Sequence, residues 1–439
     1  MHKGIESGGW TAERNAAEVV SSGLEDVYIE WTRLTHVDGD RGELTYSGYA
    51  VEDILGKGAL AEEVMYLFLH GELPSAGELR RFRGYIEEGY EIPDQVVATI
   101  GLAPRSASVV ALQMQGMSAL SAFSPGGQRY DDPDSAARLI GQMVAITSVS
   151  LRHVMGKKSR LPLPSDSVSR SFLRAVFDVE PEEKKVDALN AALILYMDHE
   201  VPASTTAGLV AVSTLADLYS GVVAALAALK GPMHGGAVEE VIKQFRDIGD
   251  PSRVDEWFAE NVLNKKKKLM GFGHRVYKTY DPRAKAFKAL ASSLDLSGGS
   301  AALFDVAKAL EEVGIYALGQ KGIYPNADYY SGLVYMGIGF PPSNDAYTGL
   351  FAMSRVTGWI AHFLEYVEEQ HRLIRPRAVY VGPDRREFPP LFERRRVVAE
   401  LPPLRSRMPS SQAGILGVKG GGWGRLRIRL RKTESQRRN

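Results

Sequence analysis

The chain has 439 residues, 53 lysines and arginines against 53 aspartates and glutamates, 44% hydrophobic residues and no cysteine. That composition supplies apolar material for about two or three domains and excludes a disordered chain, a collagen or a disulfide framework. The lack of cysteine removes a thiolate nucleophile, cysteine-ligated metal and iron–sulfur chemistry, and it fits a reducing cytoplasm.

The opening residues, MHKGIESGGWTAERNAAEVV, contain no apolar run of the kind a secretory signal needs. Residues 27–34 and 43–49 flank the turn-rich DGDRG at 38–42 and predict a short β-hairpin. Beyond it the period is helical. Leu60, Val64, Leu67 and Phe68 form a stripe that Gly71 terminates, and Ser75 with Glu78 makes a capping box that opens the next helix. Further helices are predicted over 133–155, 168–178, 182–197, 203–229, 235–247, 253–267, 282–293, 300–313, 327–337 and 345–373. The stretch 207–229 is long enough to span a bilayer. Its Ala, Gly, Ser and Thr content, the mid-span Asp217 and a bend signal at Tyr219, Ser220 and Gly221 favour a helical hairpin buried in an all-α core or at a subunit interface instead. Strands do not alternate with helices, and there is no GxxxxGK[ST]. Gly271-Phe272-Gly273 lacks a third glycine, so a nucleotide-binding parallel sheet is not expected. The expected fold is all-α with one short N-terminal hairpin.

The charge balance of zero is uneven along the chain. Residues 394–439 hold 13 lysines and arginines and two glutamates, which leaves 40 basic and 51 acidic side chains in residues 1–393. An acidic body carries a basic tail, rich in Pro and Gly, that is expected to be poorly ordered.

Three histidines sit beside glycines or a carboxylate pair: His199 in DHE, His234 in GPMHGG and His274 in GFGHRVY. Glycine lets the backbone approach a ligand closely, and His234 falls just before a predicted helix, where free N–H groups favour a neutral imidazole. A structural histidine in a turn is the competing reading of each. Arg355 lies within an apolar helical run, where a guanidinium needs an anion: a protein carboxylate or a substrate carboxylate. Arg283, Arg375 and Arg377 are further carboxylate-binding candidates, and together with the histidines they point to a small polycarboxylate. Asp328, between a turn and an apolar helix, is either a helix cap or a partly desolvated general base. Metal-ligand spacings are absent from the sequence. His362 and His371, nine apart on a predicted helix, are read as surface or packing residues. The lysines at 265–268 complement a helix end and read as a solvated face, but they also run toward His274 and would attract a polyphosphate such as that of coenzyme A.

Six segments carry a resemblance: DHEVPASTTAG (198–208), GPMHGG (231–236), GFGHRVYKTYDPRA (271–284), YPNADYYSG (324–332), SRVTGWIAHFLEY (354–366) and RPRAVYVGP (375–383). In kind, order and spacing they resemble citrate synthase of the shorter archaeal and bacterial type, over residues 23–390. The resemblance implies that Asp328 removes a methyl proton from acetyl-CoA, that His234 stabilises the enol, and that His274 polarises the oxaloacetate carbonyl. It implies oxaloacetate binding by His199, Arg283, Arg355 and an Arg375 donated by the partner of a homodimer. Leu269, Met270, Gly271, Gly273 and Lys278 match coenzyme A-binding positions. A large helical domain (1–233 and 327–390) would close on a small one (234–326), with residues 391–439 as an appendage. No permanent cofactor, no metal and no membrane are implied, and the location is cytoplasmic. Two other readings remain open at this level: 2-methylcitrate synthase using propionyl-CoA, and a scaffold or nucleic-acid-associated protein working through the basic tail.

Overall fold

A computed structural model describes residues 21–24, 27–124, 130, 132–370, 372–380 and 385–393. The basic tail at 394–439 and His371 lie outside the described residues. One compact unit spans Glu30–Arg375, and a second is drawn from the two ends of the chain. The described part of the second includes short 3-10 turns at Ser22–Leu24 and Leu391–Glu393.

The larger unit begins with an antiparallel sheet of three short strands, β1 (Thr35–Asp38), β2 (Glu43–Tyr46) and β3 (Tyr49–Ala50), in that order. Thr35 stands opposite Tyr46 and Asp38 opposite Glu43. The first strand was expected at 27–34 and lies later. Asp38 closes the turn itself, its Oδ1 accepting the backbone N–H groups of Asp40 (3.1 Å) and Arg41 (2.8 Å), so pairing starts beside that turn. Upstream backbone groups pair with side chains of the last helix instead, Arg33 N–H with Glu365 Oε1 at 2.9 Å.

Sixteen α-helices follow among the described residues. They begin with α1 (Val51–Gly56), α2 (Ala61–His70), α3 (Ala76–Glu88), α4 (Asp94–Gly101), α5 (Val109–Phe123), α6 (Pro133–Val154), α7 (Val168–Phe177) and α8 (Glu183–Tyr196). Next come α9 (Ala203–Val212), α10 (Leu218–Leu229), α11 (Ala237–Ile248), α12 (Val254–Phe258), α13 (Pro282–Ser293), α14 (Gly299–Leu318), α15 (Asp328–Ile338) and α16 (Ala346–Glu369). The fold is all-α, as the sequence implied. Gly71 ends α2 and the Ser75–Glu78 capping box opens α3.

Four details differ from the sequence reading. Helices α1, α4 and α5 were not anticipated; in α5 the fully buried Gln113 interrupts the apolar pattern, its amide donating to Thr147 Oγ1 (2.8 Å) and the Gly349 carbonyl (2.9 Å). The 203–229 hairpin exists but turns at 213–217, because Asp217 caps α10 through Oδ1 and the Ser220 N–H (3.0 Å). The segment 253–267 is split into α12 and a π-helical turn, Ala259–Asn264. His362, expected at the surface or in packing, is in packing, with two carboxylates around it that the sequence did not pair with it. Among the described residues no helix is long and apolar enough to cross a membrane.

Helix α16 is the axis of the core. It packs against α5, α6, α8, α9 and α10, and its residues from Ala346 to Phe363 are all buried.

Candidate active site

The C-terminal end of α8 runs into Asp198 and His199, both buried. His199 Nε2 lies 3.3 Å from the Tyr277 hydroxyl, and its ring meets the His274 ring edge-on, 4.9 Å between centroids. Burial and the nearby charge of Arg283 push the His199 imidazole far below its ordinary range, so it is neutral.

His274 sits on the loop between α12 and α13. Its Nδ1 accepts the backbone N–H groups of Val276 (3.0 Å) and Tyr277 (3.2 Å). An accepting Nδ1 leaves the ring proton on Nε2, which becomes a hydrogen-bond donor. Desolvation, then Arg283, lowers its pKa to about 4. The loop is held from both sides. Gly271 accepts the Asn326 N–H at 2.8 Å, and Asn326 Nδ2 donates to the Gly273 carbonyl at 2.9 Å. Gly271 has φ +77°, and a Cβ there would stand 2.7 Å from the Tyr329 ring, so no other residue fits. On the opposite side Gly39, in the β-hairpin turn, accepts the Lys278 N–H at 2.9 Å, and a Cβ on Gly39 would lie 2.3 Å from the Val276 oxygen.

His234 lies in the turn before α11. Its Nε2 is 2.8 Å from Ser204 Oγ, which also accepts the indole N–H of Trp359 at 3.2 Å. The indole N–H takes one lone pair of the serine oxygen, which keeps its own hydrogen and a second lone pair; with that hydrogen given to His234 Nε2, the histidine proton is on Nδ1. Burial, then Arg355, lowers the His234 pKa to about 4.

Asp328 opens α15. Its N–H donates to Asn326 Oδ1 at 3.1 Å, and its Oδ1 accepts the Tyr196 hydroxyl at 2.8 Å. Burial raises its pKa to about 6, against the lowering effect of that hydroxyl. Two arginines complete the group. Arg283 forms a two-point pair with Asp281, Nε to Oδ1 at 3.1 Å and Nη2 to Oδ2 at 2.8 Å; Asp281 Oδ2 also accepts the Ala327 N–H at 3.2 Å. Arg355, 1% exposed, donates from Nε to the Tyr196 carbonyl at 2.7 Å and lies over the Phe351 ring. No carboxylate among the described residues forms an ion pair with it. Desolvation lowers its pKa to about 10, which still leaves it charged at neutral pH. The charge of Arg283 bears on His199, His274 and Asp328, and that of Arg355 on His199, His234 and Asp328. Four titratable groups therefore feel one or both of these two cations.

Behind this group lies a second buried cluster. His362 is held between Glu30 Oε1 (2.6 Å from Nδ1) and Asp198 Oδ2 (3.1 Å from Nε2). Asp198 Oδ2 also accepts the Thr35 hydroxyl (2.6 Å) and the Glu200 N–H (3.0 Å). It thereby fixes the turn that carries His199.

Other expected residues stand apart. Arg375 and Arg377 are exposed, and Lys278 reaches solvent, where it pairs with Asp40 at 3.0 Å. Leu269 and Gly271 are buried, and the Met270 backbone is matched by the Gln244 amide, which accepts its N–H at 2.9 Å. Sequence reasoning missed Tyr196, Ser204, Asn326 and Trp359. A tyrosine inside the apolar run Leu193–Met197 is a signal that could have found one of them, since a buried hydroxyl needs a partner.

Comparison with known proteins agrees with this geometry. Residues 23–377 match the family model described as citrate synthase, C-terminal domain. The chain is 57% identical to the citrate synthase of Thermoplasma acidophilum over 86% of its length and 99% of the relative's. It is 51% identical to that of Saccharolobus solfataricus, over 84% and 98%. Among solved structures it resembles the Thermoplasma acidophilum enzyme in ternary complex with carboxymethyl coenzyme A and oxaloacetate, with a TM-score of 0.84 over 85% of this chain and 99% of that one. It also resembles citrate synthase from Thermotoga maritima at 36% identity, TM-score 0.77, over 86% and 99%. With the histidines, arginines and carboxylate brought together on an all-α frame and matches spanning most of its length, the chain belongs to the citrate synthase family.

Proposed function

We propose that the protein condenses acetyl-CoA with oxaloacetate and water to give citrate and free coenzyme A, an acyl transfer in which the acyl group becomes an alkyl group. One observation carries the reading: a part-buried carboxylate of raised proton affinity lies under the same two guanidinium charges that help to keep two imidazoles neutral. The acetyl methyl group is weakly acidic, so a base succeeds only if the thioester oxygen is stabilised as the proton leaves.

In this reading Asp328 takes the methyl proton while Nδ1–H of His234 donates to the forming enol oxygen. Nε2–H of His274 polarises the oxaloacetate carbonyl and delivers its proton as the carbon–carbon bond closes. His199, Arg283 and Arg355 hold the oxaloacetate carboxylates; Arg355 suits this because its charge has no carboxylate partner among the described residues. Water then cleaves the citryl thioester. Each donor or base contributes about 10² to 10⁴-fold.

The loop from Leu269 through Met270, Gly271 and Gly273 to Lys278 is proposed to receive coenzyme A, its backbone carrying the contacts. Residues 234–326 are proposed to close as a small domain on 1–233 and 327–390, which brings His234 and His274 to Asp328. Arg375, exposed at the end of the larger unit, is proposed to complete the oxaloacetate site of a partner subunit in a homodimer. A cytoplasmic location accords with the cysteine-free chain.

The test is release of free coenzyme A from acetyl-CoA plus oxaloacetate, with propionyl-CoA as competitor. Turnover that is undiminished in Asp328→Asn, or a higher kcat/KM for propionyl-CoA, refutes the assignment.

A further inference from the structure

We propose that Tyr196 is a positioning residue for the proton-abstracting carboxylate: its hydroxyl occupies Oδ1 of Asp328 and so leaves Oδ2 to receive the methyl proton. The inference rests on Asp328 being the base. Its observations are geometric. The Tyr196 hydroxyl lies 2.8 Å from Asp328 Oδ1 and 2.7 Å from Ser331 Oγ, one turn further along α15. Among the described residues the hydrogen bonds of Asp328 run through Oδ1 and its N–H, and none through Oδ2. The tyrosine ring is fully buried, stacked on Phe351 at 4.2 Å and tilted against Phe287 at 5.0 Å, so the hydroxyl has little freedom.

The same residue reaches the substrate anchor through its backbone. The Tyr196 carbonyl accepts Arg355 Nε–H at 2.7 Å, which anchors one edge of that guanidinium. One residue at the end of α8 therefore sets both a base oxygen and a carboxylate-binding cation. Because one contact is made by the side chain and the other by the main chain, substitution separates them.

A hydroxyl donating to a carboxylate stabilises its ionised form and keeps the base usable near neutral pH. The charged groups facing Asp328 are Arg283 and Asp281 from the start of α13 and Arg355 from α16, besides Tyr196 itself. Glu311 on α14 faces Tyr329 and Tyr330, and Glu239 on α11 faces Tyr335, so both act on neighbours of Asp328. None of these changes in Tyr196→Phe, which keeps the ring and the carbonyl.

The experiment is the pH profile of kcat/KM for acetyl-CoA, at saturating oxaloacetate, in wild type, Tyr196→Phe, Asp328→Asn and a protein carrying 3-fluorotyrosine in place of Tyr196. Tyr196→Phe is expected to move the acid limb upward by about one pH unit, the scale of one hydrogen bond to a charged acceptor, with KM for oxaloacetate unchanged. The fluorinated ring is a stronger donor and moves the limb downward; it decides the matter alone if Tyr196→Phe does not fold. A limb that stays in place in either protein while Asp328→Asn is inactive overturns the role of Tyr196 and leaves the base assignment intact. Full turnover in Asp328→Asn overturns both.

Discussion

Asn326 Nδ2 donates to the carbonyl of Gly273 at 2.9 Å, so the residue two places before Asp328 grips the residue immediately before His274. Its Oδ1 accepts the Asp328 N–H and its own N–H goes to Gly271, so one side chain ties the base to the carbonyl-polarising loop. Asn326→Ala removes both side-chain bonds and lets the two groups drift. Misplacement by about 1 Å is enough to lower kcat by about a hundredfold. The expected result is a loss of about ten- to a hundredfold in kcat with little change in thermal midpoint, measured by coenzyme A release and calorimetry. An unchanged kcat contradicts the coupling.

The pH dependence follows from the raised Asp328 and lowered histidines. The carboxylate must be ionised, and its pKa stands at about 6; the imidazoles must be neutral, and theirs stand at about 4. As pH falls, Asp328 is therefore protonated first. Log kcat/KM for acetyl-CoA is expected to fall with unit slope below pH of about 6, steepening only near 4. Full activity at pH 4.5 would be incompatible with Asp328 as the base.

The two buried arginines respond oppositely to neutralisation. Arg283→Gln leaves the Asp281 carboxylate buried without its cation and is expected to destabilise the fold by about 3–5 kcal/mol. Arg355→Gln abandons no carboxylate, so the fold tolerates it better while KM for oxaloacetate rises by about tenfold or more. Thermal unfolding and oxaloacetate titration distinguish the two, and equal destabilisation by both would count against an Arg355 reserved for substrate.

Burial alone would strip the His362 proton, but Asp198 and Glu30 outweigh it and raise the pKa to about 10. A folded-state pKa above the unfolded value contributes stability that is fully present below about 6.5 and is lost as pH rises toward 10. His362→Gln is expected to lower stability by about 3–5 kcal/mol at pH 6 and by less at pH 9.5, since it strands two buried carboxylates. Denaturant melts at both pH values check the sign. A loss that grows with pH would show that the imidazole is neutral in the fold.

Most of the helices from α6 onward and the glycine-flanked histidines were legible in the sequence because each depends on local chemistry: a 3.6-residue period, a Ser75–Glu78 cap, glycines that let the backbone come close. Arg355 was legible as a charge in an apolar helix, although its partner was not. What stayed hidden depends on contacts between distant segments. Nothing near residue 204 says that its hydroxyl is claimed by Trp359, 155 residues later. His362 looked ordinary because Glu30 and Asp198, which surround it, are remote in sequence. The break at Asp217 was misplaced because the capping aspartate precedes the Tyr219-Ser220-Gly221 signal that drew attention.

The grip of Gly39 on Lys278 joins parts of the chain separated by about 240 residues. During synthesis, at roughly 5–20 residues per second, the hairpin emerges and then waits about ten to fifty seconds before its partner loop exists. The N-terminal sheet is thus an early product and a late arrival. Its short strands and charged turn limit what it can pair with in the interval.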